Sequence, residues 1–289
     1  VTDATTELTT FTPAITEPGI YPDMSATDYF AGATPTLALT SSGIKTLLTE
    51  TPADYIGKDR APTAAMRLGD VTHQLALGKG KGYVVSPYDD YRTKEAREWR
   101  DAAVDGGLVP IKQPDFDAAE AMAAIIRERI GKALGGAEYQ TEVPFFWREG
   151  DAWCAGMMDV WCPSLGVIID PKITAYVHGD KARAHISNMG WHWQNAWYRR
   201  GIGKIMPDMV GRIRFANLMI SPDAPHTSRL VEISEGWRTG AERDCDRALA
   251  TFAQCMATDT WPGYPDQEVI DEPSWAMNAR LMREMEDEE

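Results

Sequence analysis

Two aspartates and a lysine carry the clearest chemical signal in the sequence. Asp159 lies near the end of the apolar run CAGMMDVW, and Asp170 and Lys172 follow in VIIDPK. Burying a carboxylate in an apolar strand is costly unless it has a partner, so acids placed there are informative. Residues 170 and 172 are two apart, and in a strand their side chains leave the same face. On an adjacent hairpin strand Asp159 could converge on the same point. Two carboxylates and a lysine on one side make a divalent-metal arrangement. Their oxygens are hard ligands suited to Mg²⁺ or Mn²⁺, which keep waters and bind substrate phosphates. The lysine can orient or help deprotonate a metal-bound water and offset developing negative charge. D-x-K alone is a common tripeptide and most often marks a structural ion pair. The separate aspartate at hairpin spacing, the strand–strand–helix context and the residues below reverse that reading.

His73 sits in GDVTHQL on an expected helix, and Glu142 opens TEVPFFW. Alone, each has a plain explanation: a packed or surface histidine and an edge-strand acid. Gln194 and Tyr198 are four apart and share a helical face, with Arg199 and Arg200 next in line. Some of the neighbouring tryptophans pack on a sheet as any amphipathic helix would. In the functional reading, Gln194 and Tyr198 face the strand that carries Asp170 and Lys172.

The elements needed to position these residues are legible in outline. Residues 1–40 are rich in Thr, Pro, Gly and Ala and read as an extended arm. Ser41 or Ser42 is placed to cap a short helix, and Pro52 can start another turn. Helices are expected from Pro62 to Leu77, Thr93 to Val104 and Pro114 to Leu134, with a flexible turn, GKGKG, after the first. The period then changes. Residues 141–147, 151–162 and 166–172 read as three antiparallel strands, followed by a helix over 180–203, strands at 212–221 and 228–234, and a long helix over 236–258. This order predicts an α/β or α+β sheet domain with a helical N-terminal elaboration. The expected division is an arm (1–40), a catalytic domain (41–260) and an acidic tail (261–289).

Composition excludes some classes and complicates another. The ten Trp, ten Tyr and seven Phe of this 289-residue chain supply buriable surface that a disordered chain lacks. No apolar run approaches a membrane span, and the polar, acidic N-terminus is unlike a signal or transit peptide. Four cysteines (154, 162, 245, 255) without a C-x-x-C pair read as small buried hydrophobes in a reducing, cytoplasmic setting. The formal net charge of −14 argues against phosphate binding. Its distribution weakens the argument: residues 1–57 carry −6 and 262–289 carry −7, whereas 151–215 carry +3.

The chain resembles the PD-(D/E)XK nuclease superfamily, and within it phage-type exonucleases of the RecE kind and the RecB-like nuclease domain. The resemblance runs from about Gly19 to Ser234. It rests on LTSSGIKTLL, the G-x-x-x-H helix ending at His73, the E-x-P-x-x-W strand, the G-M-x-D strand, the I-x-D-x-K strand and the W-x-W-Q-x-A-x-Y-R-R-G helix. It implies a restriction-endonuclease-like core with a mixed central sheet flanked by helices. It implies Mg²⁺ (or Mn²⁺) held by His73, Asp159, Asp170 and the Pro171 carbonyl. Lys172 becomes the catalytic lysine, Gln194 and Tyr198 the accessory motif, and Glu142 a weaker match. Lys181, Arg183, Arg199, Arg200 and Lys204 become candidate phosphate contacts. The implied activity is exonucleolytic hydrolysis of linear double-stranded DNA, 5′ to 3′. The implied partners are a single-strand annealing recombination protein and further copies of the chain in a ring. Two alternatives stay open: a nuclease-fold protein that binds without cutting, and an endonuclease of the same superfamily. Pro171 is a departure, since proline removes a ladder donor. It reads either as a bulge that re-aims a side chain or as a mark of weakened activity.

Overall fold

The structure, a computed structural model, describes residues 15–57 and 62–287. Residues 1–14 of the expected arm and the last two of the acidic end lie outside the described residues. In chain order the elements are β1 (Gly19–Ile20), α1 (Ala26–Phe30), β2 (Ala38–Leu39), α2 (Ser41–Thr49), α3 (Pro52–Gly57), α4 (Ala64–Leu77), β3 (Tyr83–Val85), α5 (Lys94–Asp105), β4 (Val109–Ile111) and α6 (Gln113–Leu134). There follow β5 (Gln140–Glu149), β6 (Ala152–Cys162), β7 (Val167–Ile173), α7 (Gly179–Met189), α8 (Trp191–Ile205), β8 (Arg214–Ile220), β9 (Ser228–Val231), α9 (Glu235–Thr258) and α10 (Ser274–Asp287).

Local chemistry accounts for the main boundaries. The Thr63 hydroxyl accepts from Met66 N–H and starts α4, which ends at Gly78 in the left-handed conformation. Thr40, rather than Ser41 or Ser42, caps α2 by accepting from Gly43 N–H. The helix expected over 180–203 is two helices. Gly190, at φ 74°, ends α7 and begins α8, because a left-handed residue cannot continue a right-handed helix.

The main sheet runs β1-β5-β6-β7-β8-β9, with β2 beside β6, and β3 and β4 form a separate parallel pair. The sheet is mixed: β5, β6 and β7 are antiparallel neighbours, whereas β7 and β8 are parallel, joined by the α7–α8 crossover. Period-2 alternation gives it two apolar faces. Phe145, Trp147, Trp161 and Ile168 pack with Ile44, Trp197, Ile202 and Phe252 of α2, α8 and α9. Val160, Ile169, Leu218 and Ile220 pack with Leu77, Met122, Ile126 and Ile130 of α4 and α6. The four cysteines are buried free thiols. Among the described residues no helix is long and apolar enough to cross a membrane.

One feature of the sheet makes room for a site. Along one edge β6 pairs with β2 at Trp153 and Cys154, and with β7 only from Val160 to Cys162. The intervening stretch of that edge has no strand partner. Side chains of α8 satisfy part of it: Trp197 Nε1 donates to Ala155 O at 3.2 Å and Met157 N donates to Tyr198 Oη at 3.4 Å. Buried backbone groups need such partners. The close approach requires Gly156, where a Cβ would lie 2.4 Å from Phe145 and 3.0 Å from Tyr198.

Candidate active site

The split in the sheet exposes a row of polar side chains. Thr141 pairs with Val160 and Val143 with Met158, so Glu142 stands opposite Asp159. The last β6–β7 rung, Val160 with Ile169, leaves Asp159 and Asp170 level just beyond it. Asp170 in turn pairs with Asn217 across β7 and β8. Four adjacent strands thus contribute Glu142, Asp159, Asp170 and Asn217 to one line. Like charges directly opposite in a sheet are destabilising, and Glu142 adds backbone strain at φ 49°.

His73, Glu142 and Asp159 form the tightest group, with one potential ligand atom of each lying within 4.8 Å of the others. His73 Nε2 lies 3.0 Å from Pro171 O. A carbonyl only accepts, so Nε2 carries the proton, and Nδ1 is the ring nitrogen left to face Asp159 Oδ2 at 3.7 Å. A second group fixing the ring in this way is usual for metal-binding histidines. Burial, then the charge of Asp159, pushes the Glu142 carboxyl up to about 7. Burial, then the charge of Asp170, holds Asp159 well above the usual carboxylate range. Two acids that resist ionising together beside an imidazole fit a divalent cation, which would relieve their repulsion.

Asp170 is almost wholly buried and saturated with donors. Oδ1 accepts from Gln194 Nε2 at 2.8 Å. Oδ2 accepts from Lys172 Nζ at 2.7 Å and Asn217 Nδ2 at 3.1 Å. Burial opposes charge on Lys172, but Asp170 and Asp159 outweigh it and raise its pKa, so it stands as an ammonium. The Tyr198 hydroxyl, one turn along α8 from Gln194, is pushed up to about 12 by burial and by Asp170 and Asp159. The α8 face expected to meet Asp170 does so.

Pro171 makes no bulge. The parallel register runs unbroken from Val167 with Arg214 to Ile173 with Ile220. Residue 171 lies past the last β6–β7 rung, and its carbonyl turns to His73 rather than to β8. In a strand N–H and C=O of one residue point to the same side, so the missing donor leaves no ladder bond unmade.

Residues 45–271 match the family described as a PDDEXK-like domain of unknown function (DUF3799). The chain belongs to that family. This PDDEXK-like domain has the fold of a crystal structure described as a putative exonuclease from Eubacterium rectale, with a TM-score of 0.60, 14% identity, and coverage of 89% of this chain and 97% of that one. A phage related exonuclease from Haemophilus somnus 129PT matches at a TM-score of 0.34 and 11% identity, over 78% of this chain and 97% of that one. No curated protein matches the sequence.

The basic residues of the PDDEXK-like domain divide. Lys181 and Arg183 are exposed on α7, where Arg183 pairs with Asp180. Arg199 is half-buried near Glu232 and Glu242. Arg200 and Lys204 lie on α8 beyond Tyr198, where both pair with Glu149, and Arg200 also pairs with Asp246. The structure therefore brings His73, Glu142, Asp159, Asp170, Lys172, Gln194 and Tyr198 together, but not Arg200 or Lys204. Sequence reasoning missed Asn217, a lone amide in RFANLMI, and Lys81, whose chain lines a cavity of about 870 Å³ with His73, Glu142, Asp159 and Lys172. The two lysines of GKGKG were the available signal for Lys81.

Proposed function

We propose that this protein is a divalent-metal-dependent nuclease that hydrolyses phosphodiester bonds at the ends of linear double-stranded DNA. The observation that carries the reading is the convergence of His73, Glu142 and Asp159 beside the Asp170–Lys172 pair, inside a PDDEXK-like fold. Mg²⁺ or Mn²⁺, held by His73, Glu142 and Asp159 with Asp170 adjoining, would activate water and stabilise charge on the phosphate. Lys172, an ammonium at the lip of the site, orients the nucleophile and offsets charge on the phosphate oxygens. Gln194 holds the Asp170 carboxylate in place, and Tyr198 closes the sheet behind it. Lys81, in the lining of the same cavity, and the exposed cations Lys181 and Arg183 of α7 would contact the phosphate backbone. The 5′-to-3′ polarity, a ring-shaped homo-oligomer and a single-strand annealing partner extend the same reading.

The test incubates the purified protein with linear, nicked and covalently closed duplex DNA, each with Mg²⁺, Mn²⁺ or EDTA. Metal-dependent loss of the linear form alone is the expected result. Cutting of closed circles favours an endonuclease. Absence of any metal-dependent product overturns the enzyme and favours a protein that binds without cutting. End-labelled strands read the polarity, and light scattering reads the oligomer.

A further inference from the structure

A second cavity adjoins the first. It has a volume of about 720 Å³, and its lining includes Phe30, Thr36, Leu37, Ser41, Phe146 and Tyr198. It shares Phe30, Ala31, Met157 and Asp159 with the cavity over His73, Glu142 and Lys172. The two spaces therefore meet at Asp159, with Phe30 between them. Phe30 ends α1, and 69% of it is exposed, although its neighbour Tyr29 packs on Phe146. The Phe30 ring meets Tyr29 edge-on at 5.1 Å, yet most of it stays exposed where the two cavities share their lining. Phe146 and Tyr198 line the same space but are buried in the core, and Tyr29 is only partly exposed and packs on Phe146, which leaves Phe30 as the most exposed aromatic face of the lining.

We infer that this second cavity is a nucleobase subsite, in which the base next to the scissile phosphate leaves the duplex stack and lies against Phe30. The inference rests on the nuclease reading above and deepens it. A phosphate at the carboxylate cluster places its attached nucleoside within one residue's reach of Asp159, and the cavity on the far side of Asp159 is large enough to receive it. Stacking on an aromatic ring accepts any base, because every base has a π-face. Thr36 and Ser41, in the same lining, bring hydroxyls that can donate or accept without enforcing one sequence. Phe30 is thus a substrate-positioning residue, and cleavage should show little base preference.

The test uses duplexes carrying 2-aminopurine at the terminal or penultimate nucleotide of either strand, bound in Ca²⁺ to hold the complex without turnover. Wild type and Phe30→Trp should quench a probe placed next to the scissile phosphate, and Phe30→Ala should not. In Mg²⁺, Phe30→Ala should lower kcat/KM by about tenfold, with Phe30→Trp restoring it, in line with the usual worth of one stacked base. Circular dichroism of the exposed-site variants checks folding. Phe30→Ala that quenches and cuts like wild type overturns the subsite and leaves the nuclease reading intact. Wild type that quenches yet never cuts keeps the subsite and overturns the nuclease reading. Neither quenching nor cutting overturns both.

Discussion

Gln194 on α8 donates from Nε2 to Asp170 Oδ1 at 2.8 Å, across the face where β6 and β7 part. Three donors hold this one carboxylate, and only Lys172 among them is charged. Gln194→Ala should release one oxygen of Asp170 and lower metal affinity and turnover by about 10- to 100-fold, as loss of a ligand-orienting partner does. Gln194→Glu should be worse, because it sets a second anion against Asp170. Calorimetric Mn²⁺ titration and cleavage rates check both.

Asn217 holds the other oxygen from β8, at 3.1 Å, and is itself buried. Asn217→Asp should destabilise the metal-free protein by several kcal/mol, because it buries an unpaired charge beside Asp170. Urea unfolding checks this, and added Mn²⁺ should recover part of the loss.

The pH dependence of metal binding follows from Glu142 and Asp159. Glu142 titrates near 7 in the metal-free protein, and Asp159 is also raised. An acid whose folded pKa is raised binds more protons folded than unfolded between about 4.5 and 7, so metal-free stability falls as pH rises through that window. A cation must displace those protons. Its affinity should therefore rise by up to about tenfold per pH unit below 7 for each proton displaced. Calorimetry at pH 6 and 8 in two buffers of different ionisation enthalpy would count the protons. Equal affinity at both values would show that Glu142 is not a ligand.

Arg200→Ala tests a structural assignment. Glu149 lies largely buried, with its carboxyl held below the usual range by Arg200 and Lys204 against the effect of burial. Removing Arg200 should cost about 1–3 kcal/mol of stability near neutral pH, the usual penalty for an abandoned buried acceptor. A depressed carboxylate stabilises the fold above its unfolded pKa and loses that effect as pH falls through its folded one. The gap between wild type and variant should hold above about pH 4.5 and close below it. Urea unfolding across pH 3 to 8 reads this directly.

Gly156→Ala should be destabilising by about 1–3 kcal/mol, because the new methyl overlaps Phe145 and crowds Tyr198. Activity should fall further than stability alone explains, since Tyr198 closes the edge of β6 beside Asp159.

Much of this arrangement was legible in the residues. The spacing of Asp159 and Asp170 gave the hairpin, and period-2 placement gave Lys172 the face of Asp170. The four-residue step from Gln194 to Tyr198 gave the α8 face. Contacts set by strand divergence were not legible. Glu142 looked peripheral because its place opposite Asp159 depends on register. Asn217 comes from a strand beyond the crossover and has no spacing signature. Arg200 and Lys204 looked like phosphate contacts because the sequence does not reveal Glu149, some fifty residues earlier, as their partner. The short strands β1 and β2 fell within a segment whose composition reads as an arm, and pairing with β5 and β6, rather than local pattern, makes them strands.

In the proposed reaction Asp170 and Lys172 act with the His73–Glu142–Asp159 cluster on a DNA phosphodiester. Single-turnover cleavage of end-labelled linear duplex in saturating Mg²⁺, comparing wild type with Asp170→Asn and Lys172→Ala, tests it most directly. Rates should fall by about 10³-fold or more in each variant while folding and DNA binding persist. Variants that cut at the wild-type rate would contradict it.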